Sequence, residues 1–393
     1  MLTSTASLSL PTEAGTLEPY ALTGTPIVPR APQTAWTRTA FAAAHVVSDP
    51  LAERDPWAGR PAVDWDATLR FRHWLWDQGL GLAEAMDTAQ RGMGVDWATA
   101  KELIERTMAD AKAHPLSPRV ACGAGTDQLD PAEPLSLDAI KAAYTEQMAA
   151  IEAAGGQVIL MASRALPVVG AGPDDYARLY DDLLAQAAEP VVLHWLGSMF
   201  DPALAGYWGA DDPEDAADLV LAIINANASK VDGIKISLLD QGFEERFRAR
   251  LPAGVKLYTG DDFNYAALIK GDGAHHSHAL LGAFTAIAPA AAQALEALAE
   301  GDGARYDALM EPTVPLSREL FRAPTQYYKA GIAFLAWLNG AQDAFVMPGG
   351  FQASRGITHY ATLFRLADGA GLLARPDLAT DRMRTLCRVY GIA

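Results

Sequence analysis

The sequence predicts an α/β fold, a (β/α)8 TIM barrel carrying an N-terminal arm and a C-terminal helical extension. Three observations predict it: short apolar runs recur at strand length, helix-length amphipathic segments separate them, and the runs number eight. They are "TAFAAAHVV" (39–47), "GLGLAEAM" (79–86), "RVACGA" (119–124), "QVILMA" (157–162), "PVVLHW" (190–195), "VDGIKIS" (231–237), "VKLYTG" (255–260) and "HALLGAF" (278–284). Between them, segments such as "DWATAKELIERTMADAKAH", "SLDAIKAAYTEQMAAIEAA" and "DYARLYDDLLAQAA" repeat apolar residues with the α-helical period, and several open on Ser or Asp, residues suited to cap a first turn. Strands alternating with helices run parallel, because a tight turn cannot join parallel neighbours, and eight such units close a barrel. An open doubly wound sheet is the alternative. It needs a glycine-rich fingerprint after its first strand, and "HVVSDPLAERDP" has none.

Residues 1–35 are rich in Thr, Ser and Pro without a period, which predicts an extended arm. The barrel is then expected over 36–300. Residues 301–393 hold further helical segments, including "TQYYKAGIAFLAWLNG", more than one last barrel helix requires. This apolar surplus needs burial and suggests a homo-oligomer.

With 31 basic against 48 acidic residues, the formal charge of −17 repels nucleic acid and anionic membrane surfaces, leaving a small molecule as the expected partner. Two cysteines cannot form a disulfide framework, and no Cys/His spacing matches a zinc site. The glycines of "GDGA", "GAGTD" and "MPGGF" mark turns and match no phosphate loop, so neither a cofactor nor a metal is expected. The first residues lack the basic and apolar regions of a signal peptide. No stretch stays apolar for the roughly 20 residues of a membrane span, which points to a cytoplasmic protein.

A TIM barrel carries its chemistry at the C-terminal ends of its strands. Those ends nominate His45, Glu84, Asp87, Thr88, Cys122, Asp127, Ser163, His194, Lys235, Ser237, Asp261 and Asp262, among others. Lys235 is the sharpest. Alternation puts Gly233, Lys235 and Ser237 on one strand face and Ile234 and Ile236 on the other. The isoleucines suit the layer between barrel and helices, so Lys235 points inward, where burial frees its amine to attack a carbonyl carbon. Pairing with a barrel carboxylate such as Glu84, or reaching out of the strand end, are the structural alternatives.

"DGIKISLLD", "LYTGDDFNYAALIKGDG" and "ALLGAFTAIAPAAAQALEALAEGDGARYDAL" together resemble the second half of the dihydrodipicolinate synthase / N-acetylneuraminate lyase superfamily. "RVACGAGTDQL" is similar to that family's glycine-rich third strand, "EPVVLHWLG" to its fifth and "PTQYYKAGIAFL" to a late helix, so the likeness covers roughly residues 115–340. The resemblance implies a Schiff base on Lys235 and a lyase or aldolase reaction. His194 stands where the family carries a proton-shuttling tyrosine, and imidazole can do that work near neutral pH. In place of the family's double-threonine turn for a keto-acid carboxylate, this chain reads "AMDTAQRGMG". Thr88 keeps one hydroxyl, Arg91 offers a bidentate clamp, and Asp87, Gln90 and Asp127 suit hydroxyl groups. Substrate-positioning roles are thus expected for Asp87, Thr88, Arg91, Asp127, Ser163, Ser237 and Asp261, with a sugar-derived ketone or a 2-keto acid as substrate. A divalent-cation isomerase built on His45, Glu84, Asp87 and His194 is the rival chemistry, and a non-catalytic binding barrel is the third reading. His275, His276 and His278 invite a metal reading too, but fall at the start of the eighth run, the end that serves stability.

Overall fold

A computed structural model describes residues 8–52, 61–130 and 132–392; residues 1–7 of the expected arm lie outside them. The arm opens on a hairpin in which β1 (Leu8–Pro11) pairs antiparallel with β2 (Leu17–Tyr20). Both strands carry Ser, Glu or Pro, so neither forms the apolar run that marks the barrel strands in the sequence.

All eight apolar runs form barrel strands. They are β3 (Ala40–Ala43), β4 (Gly81–Glu84), β5 (Val120–Ala124), β6 (Gln157–Leu160), β7 (Val191–Leu196), β8 (Val231–Ser237), β9 (Lys256–Thr259) and β10 (His278–Leu281). Each pairs parallel with the next, and β10 returns to β3, closing the barrel. The chain divides into two compact units.

The unit of residues 38–44 and 81–281 contains the whole barrel. Its interior is filled by Phe41, Ala43, Ala83, Ala121, Ile159, Val192, Tyr258 and Leu280, one or two inward positions from each of seven strands. Outer helices follow their strands by ordinary amphipathic logic. Helix Trp97–Ala113 starts where Asp96 accepts the Thr99 N–H, and it buries Ala100, Leu103, Ile104, Thr107 and Ala111 along one stripe.

The other unit comprises residues 1–37, 45–80 and 282–393. It includes helix Trp65–Trp76, capped by Asp64, and the C-terminal helices Val314–Leu320, Tyr328–Leu338, Ile357–Gly369 and Pro376–Val389. Two buried carboxylates hold the arm here. Asp368 accepts the Tyr20 hydroxyl and the Thr23 and Gly24 N–H groups; Glu296 accepts Arg30 and the Gln33 and Thr34 N–H groups. The Arg30 contact, against the opposing effect of burial, holds the Glu296 carboxyl below its ordinary range. Glu296→Ala is therefore expected to lower stability by about 2 kcal/mol and to speed proteolysis within residues 30–34. Because the folded-state value is depressed, the difference from wild type is full above the ordinary carboxyl pKa and shrinks as the pH falls through it; urea titrations at two pH values read this. Among the described residues, no helix is long and apolar enough to cross a membrane.

Candidate active site

The face that Lys235 presents is set by a slip of register. Val191 pairs with Val231, but Val192 pairs with Gly233, so Asp232 is an extra residue opposite β7. This brings Gly233, Lys235 and Ser237 into phase with Val192 and His194. Val192 belongs to the barrel interior, and Lys235 lies between His194 and the interior residue Tyr258 in the ladder. Lys235 therefore points inward, and Ile234 and Ile236 point outward, both buried. Gly260, next after β9, makes room for the lysine: a Cβ there would stand 2.7 Å from the Lys235 Cε and collide with the Ser237 Oγ.

Only 5% of Lys235 is exposed. Burial pushes its amine below the ordinary lysine value, and the carboxylates of Asp87 and Asp262 oppose that fall without cancelling it. His194 is as deeply placed. Its Nε2 is 3.4 Å from the Ser237 Oγ, and its Nδ1 is buried without a partner. Burial, reinforced by Lys235 and opposed by Asp87, holds the imidazole well below its usual pKa, so it is neutral at physiological pH.

The loop after β4 carries the Asp87 and Thr88 pair on a single 3₁₀ turn, flanked by Ala85 at φ 53 and Gln90 at φ 64. Left-handed non-glycine residues cost roughly 1 kcal/mol each, and such strain persists where neighbours over-determine it. Arg91 is that neighbour. Its Nη1 donates to the Ala85 and Gly123 carbonyls, its Nε and Nη2 engage Asp127, and Nη2 also donates to the Gln147 Oε1. Gly123 permits the approach, since a Cβ there would come within 2.8 Å of the Ala85 carbonyl oxygen. All five guanidinium donors are thereby used inside the protein. Burial pushes the Asp127 carboxyl up, but Arg91 and Gln147 outweigh it and hold it low. Arg91 is bidentate, as its geometry suggests, toward a protein carboxylate.

Ser163 shares a 2.6 Å hydrogen bond with Thr126, its Oγ accepts the Ala165 N–H, and its own N–H donates to the Tyr207 hydroxyl. Asp261 accepts the Phe263 and Asn264 N–H groups and the Asn264 side chain, which makes it the turn residue before helix Tyr265–Lys270. Its neighbour Asp262 supplies the charge felt by Lys235.

Two donors of the divalent-cation reading, Glu84 and His45, have other partners. Glu84 follows the inward Ala83, so it faces out, where it accepts the Thr107 hydroxyl and the Ala85 N–H; it does not pair with Lys235. His45 Nε2 is bonded to Gln342, and burial lowers its pKa to about 4. His278 accepts the Thr39 N–H at the start of β10. No group of three or more His, Cys, Asp or Glu side chains converges as a metal site among the described residues. Cys122 also faces out, and burial raises its thiol pKa well above the usual range, the behaviour of a small core side chain.

A cavity of about 180 Å³ opens next to this constellation, lined by Asp87, Arg91, Thr126, Asp127, Arg164 and His194 together with Met161, Leu129 and Leu196; His194, the ladder partner of Lys235, lies on its wall, while Lys235 itself does not line it. Arg164 is fixed there by Asp201, Nε to Oδ2 at 2.5 Å. Residues 8–392 match the family described as "Protein of unknown function (DUF993)". The chain belongs to that family. None of the curated proteins matches it in sequence. Among solved structures, this DUF993 chain is similar to dihydrodipicolinate synthase from Aquifex aeolicus at 11% identity and a TM-score of 0.60, covering 90% of this chain and 98% of that one. It is similar also to the chloride-inhibited dihydrodipicolinate synthase from Acinetobacter baumannii in complex with pyruvate, at 15% identity and a TM-score of 0.61, covering 85% of this chain and 99% of that one. At the level of fold, the resemblance read from the sequence is borne out.

The sequence nominated Asp261 and Asp262 together without telling them apart, and it singled out neither Gln147, which accepts from Arg91, nor Asp201, which holds Arg164. "GDDFN" did hold a signal. An Asp three residues before Asn at a strand-to-helix turn is a capping pattern, which assigns Asp261 to the turn and leaves Asp262 for the site.

Proposed function

We propose that this protein is a Schiff-base-forming lyase or aldolase, and that Lys235 is its covalent nucleophile. One observation carries the reading: an almost fully buried amine on the inner face of β8, lowered in pKa, lies one ladder position from an imidazole whose second nitrogen has no partner. The free amine adds to a carbonyl carbon, and the carbinolamine takes up a proton from solvent and loses water to leave a cationic iminium. When the carbon–carbon bond next to that carbon's neighbour breaks, its electron pair flows into the iminium to give an enamine, and the hydroxyl proton released at the far carbon passes to His194. Return of that proton to the enamine carbon and hydrolysis by water restore Lys235. Asp87 and Asp262, which oppose the lowering of the amine's pKa, stabilise the iminium charge once it has formed. Thr88, Ser163, Ser237, Arg91 and Asp127 shape the pocket around the substrate. The fold shared with dihydrodipicolinate synthases supports this chemistry.

Borohydride reduction in the presence of a ketone panel, followed by peptide mass mapping, tests the proposal. A reduced adduct on Lys235 is expected, and its absence with every ketone would sink the Schiff-base reading. His194 has its own signature. His194→Gln should keep adduct formation but lower turnover by roughly 10²–10⁴-fold, the usual worth of a positioned acid/base. Because the folded-state imidazole pKa is depressed, wild-type kcat/KM should stay level well below pH 6.5 before its acid limb falls; a limb centred at or above 6.5 removes His194 from the proton-transfer role.

A further inference from the structure

We infer that the substrate is an uncharged, hydroxylated ketone and that 2-keto acids are excluded, because each cation lining the cavity is already held by a protein carboxylate. This rests on the Schiff-base reading and sharpens its substrate class. The lining carries three carboxylates, Asp87, Asp127 and Asp201, against two guanidinium groups. Arg91 gives all five donors to Asp127, Gln147 and two backbone carbonyls, and Arg164 is paired with Asp201. Arg91 has no donor left for a ligand carboxylate, and the charge of Arg164 is matched by Asp201, which its Nε engages.

Charge works the same way at the reacting end. In a 2-keto acid the carboxylate is bonded to the carbon that becomes the iminium carbon, so it sits two bonds from the Lys235 Nζ. That region is already under the negative fields of Asp87 and Asp262, and the Asp87 field extends to His194. Bringing a further negative charge into such a partly buried, already negative region gives a discrimination on the order of 100-fold. Hydroxyl groups meet the opposite reception. Carboxylate oxygens accept from them, and the orphaned His194 Nδ1 gains the partner it lacks. Met161, Leu129 and Leu196 cover the carbon chain.

A matched pair of four-carbon probes tests the inference on the full-length chain. Binding of L-erythrulose, an uncharged hydroxyketone, and of 2-ketobutyrate is measured by calorimetry without reductant, for wild type and for Asp87→Asn. Erythrulose should bind at least about 100-fold more tightly to wild type, and Asp87→Asn should narrow the gap by about tenfold, chiefly by admitting the keto acid. Equal or tighter binding of 2-ketobutyrate overturns the inference, as does failure of erythrulose to bind at millimolar concentration. Borohydride is then added to the same samples. If erythrulose binds with the expected preference but leaves no reduced adduct on Lys235, the substrate class stands and the Schiff-base reading fails.

Discussion

Lys235→Met should abolish the reducible adduct and lower turnover by roughly 10⁴-fold or more, the scale of deleting a covalent nucleophile. It should also make the protein more stable at neutral pH. The two effects share one cause. A buried lysine with a depressed pKa binds its proton more weakly folded than unfolded. Between the folded-state value and the ordinary 10.5, the unfolded chain carries more protons, so wild-type stability rises with pH across that window and is penalised below it. Each pH unit of depression is worth about 1.4 kcal/mol. Methionine, similar in length and uncharged, removes the penalty and fills the same space beside Gly260. Urea titrations from pH 6 to pH 10 should show a flatter stability curve for the variant, lying above wild type at the acid end. A lysine present only for packing or ion pairing predicts the reverse, a variant that is active but less stable.

How much of this was legible in the sequence depended on whether the governing interaction was local. The eight strands were legible because run length, alternation and spacing are local signals, and the face of Lys235 followed from the period of two within β8. The same period was available for Glu84. Ala83 is small and apolar at the penultimate position of β4, but reading Glu84 only as lying near the end of its run placed it at the mouth, whereas it faces Thr107 on an outer helix. The partners of Arg91 were invisible for another reason. Gln147 lies 56 residues downstream on a helix whose period marks position 147 as core, and only tertiary packing reveals that a buried glutamine there orients a guanidinium. Electrostatic roles were the least legible of all: Asp261 and Asp262 are adjacent and identical, and although the capping pattern points Asp261 to the turn, only the folded barrel shows that Asp262 acts on the lysine.

Arg91→Met should be the most destabilising single change in the cavity. Its side chain is 3% exposed and Asp127 is 20% exposed, and removing the arginine takes the guanidinium bonds from a largely buried carboxylate, which keeps the Gln147 amide, from the Gln147 carbonyl, which keeps the Gly125 N–H, and from two backbone carbonyls. Breaking a fully buried pair costs roughly 3–5 kcal/mol, and the part-exposure of Asp127 favours the lower end. The pH dependence should invert at the same time. In wild type Asp127 has a lowered pKa, so its contribution is present above the ordinary carboxyl value and fades on acidification. Without Arg91 burial dominates, the carboxyl prefers its protonated form, and the variant loses less stability than wild type as the pH falls below 5. Arg91→Lys should rescue little, because one ammonium cannot serve acceptors arrayed around a planar fork. The double variant Arg91→Met/Asp127→Asn separates charge from packing. If the pair is the origin of the loss, the second change recovers part of it; if the double variant is no better than Arg91→Met alone, the loss comes from the strained Ala85–Gln90 turn that the guanidinium holds in place. In either case adduct formation at Lys235 should weaken along with stability, since that turn is what carries Asp87 to the lysine.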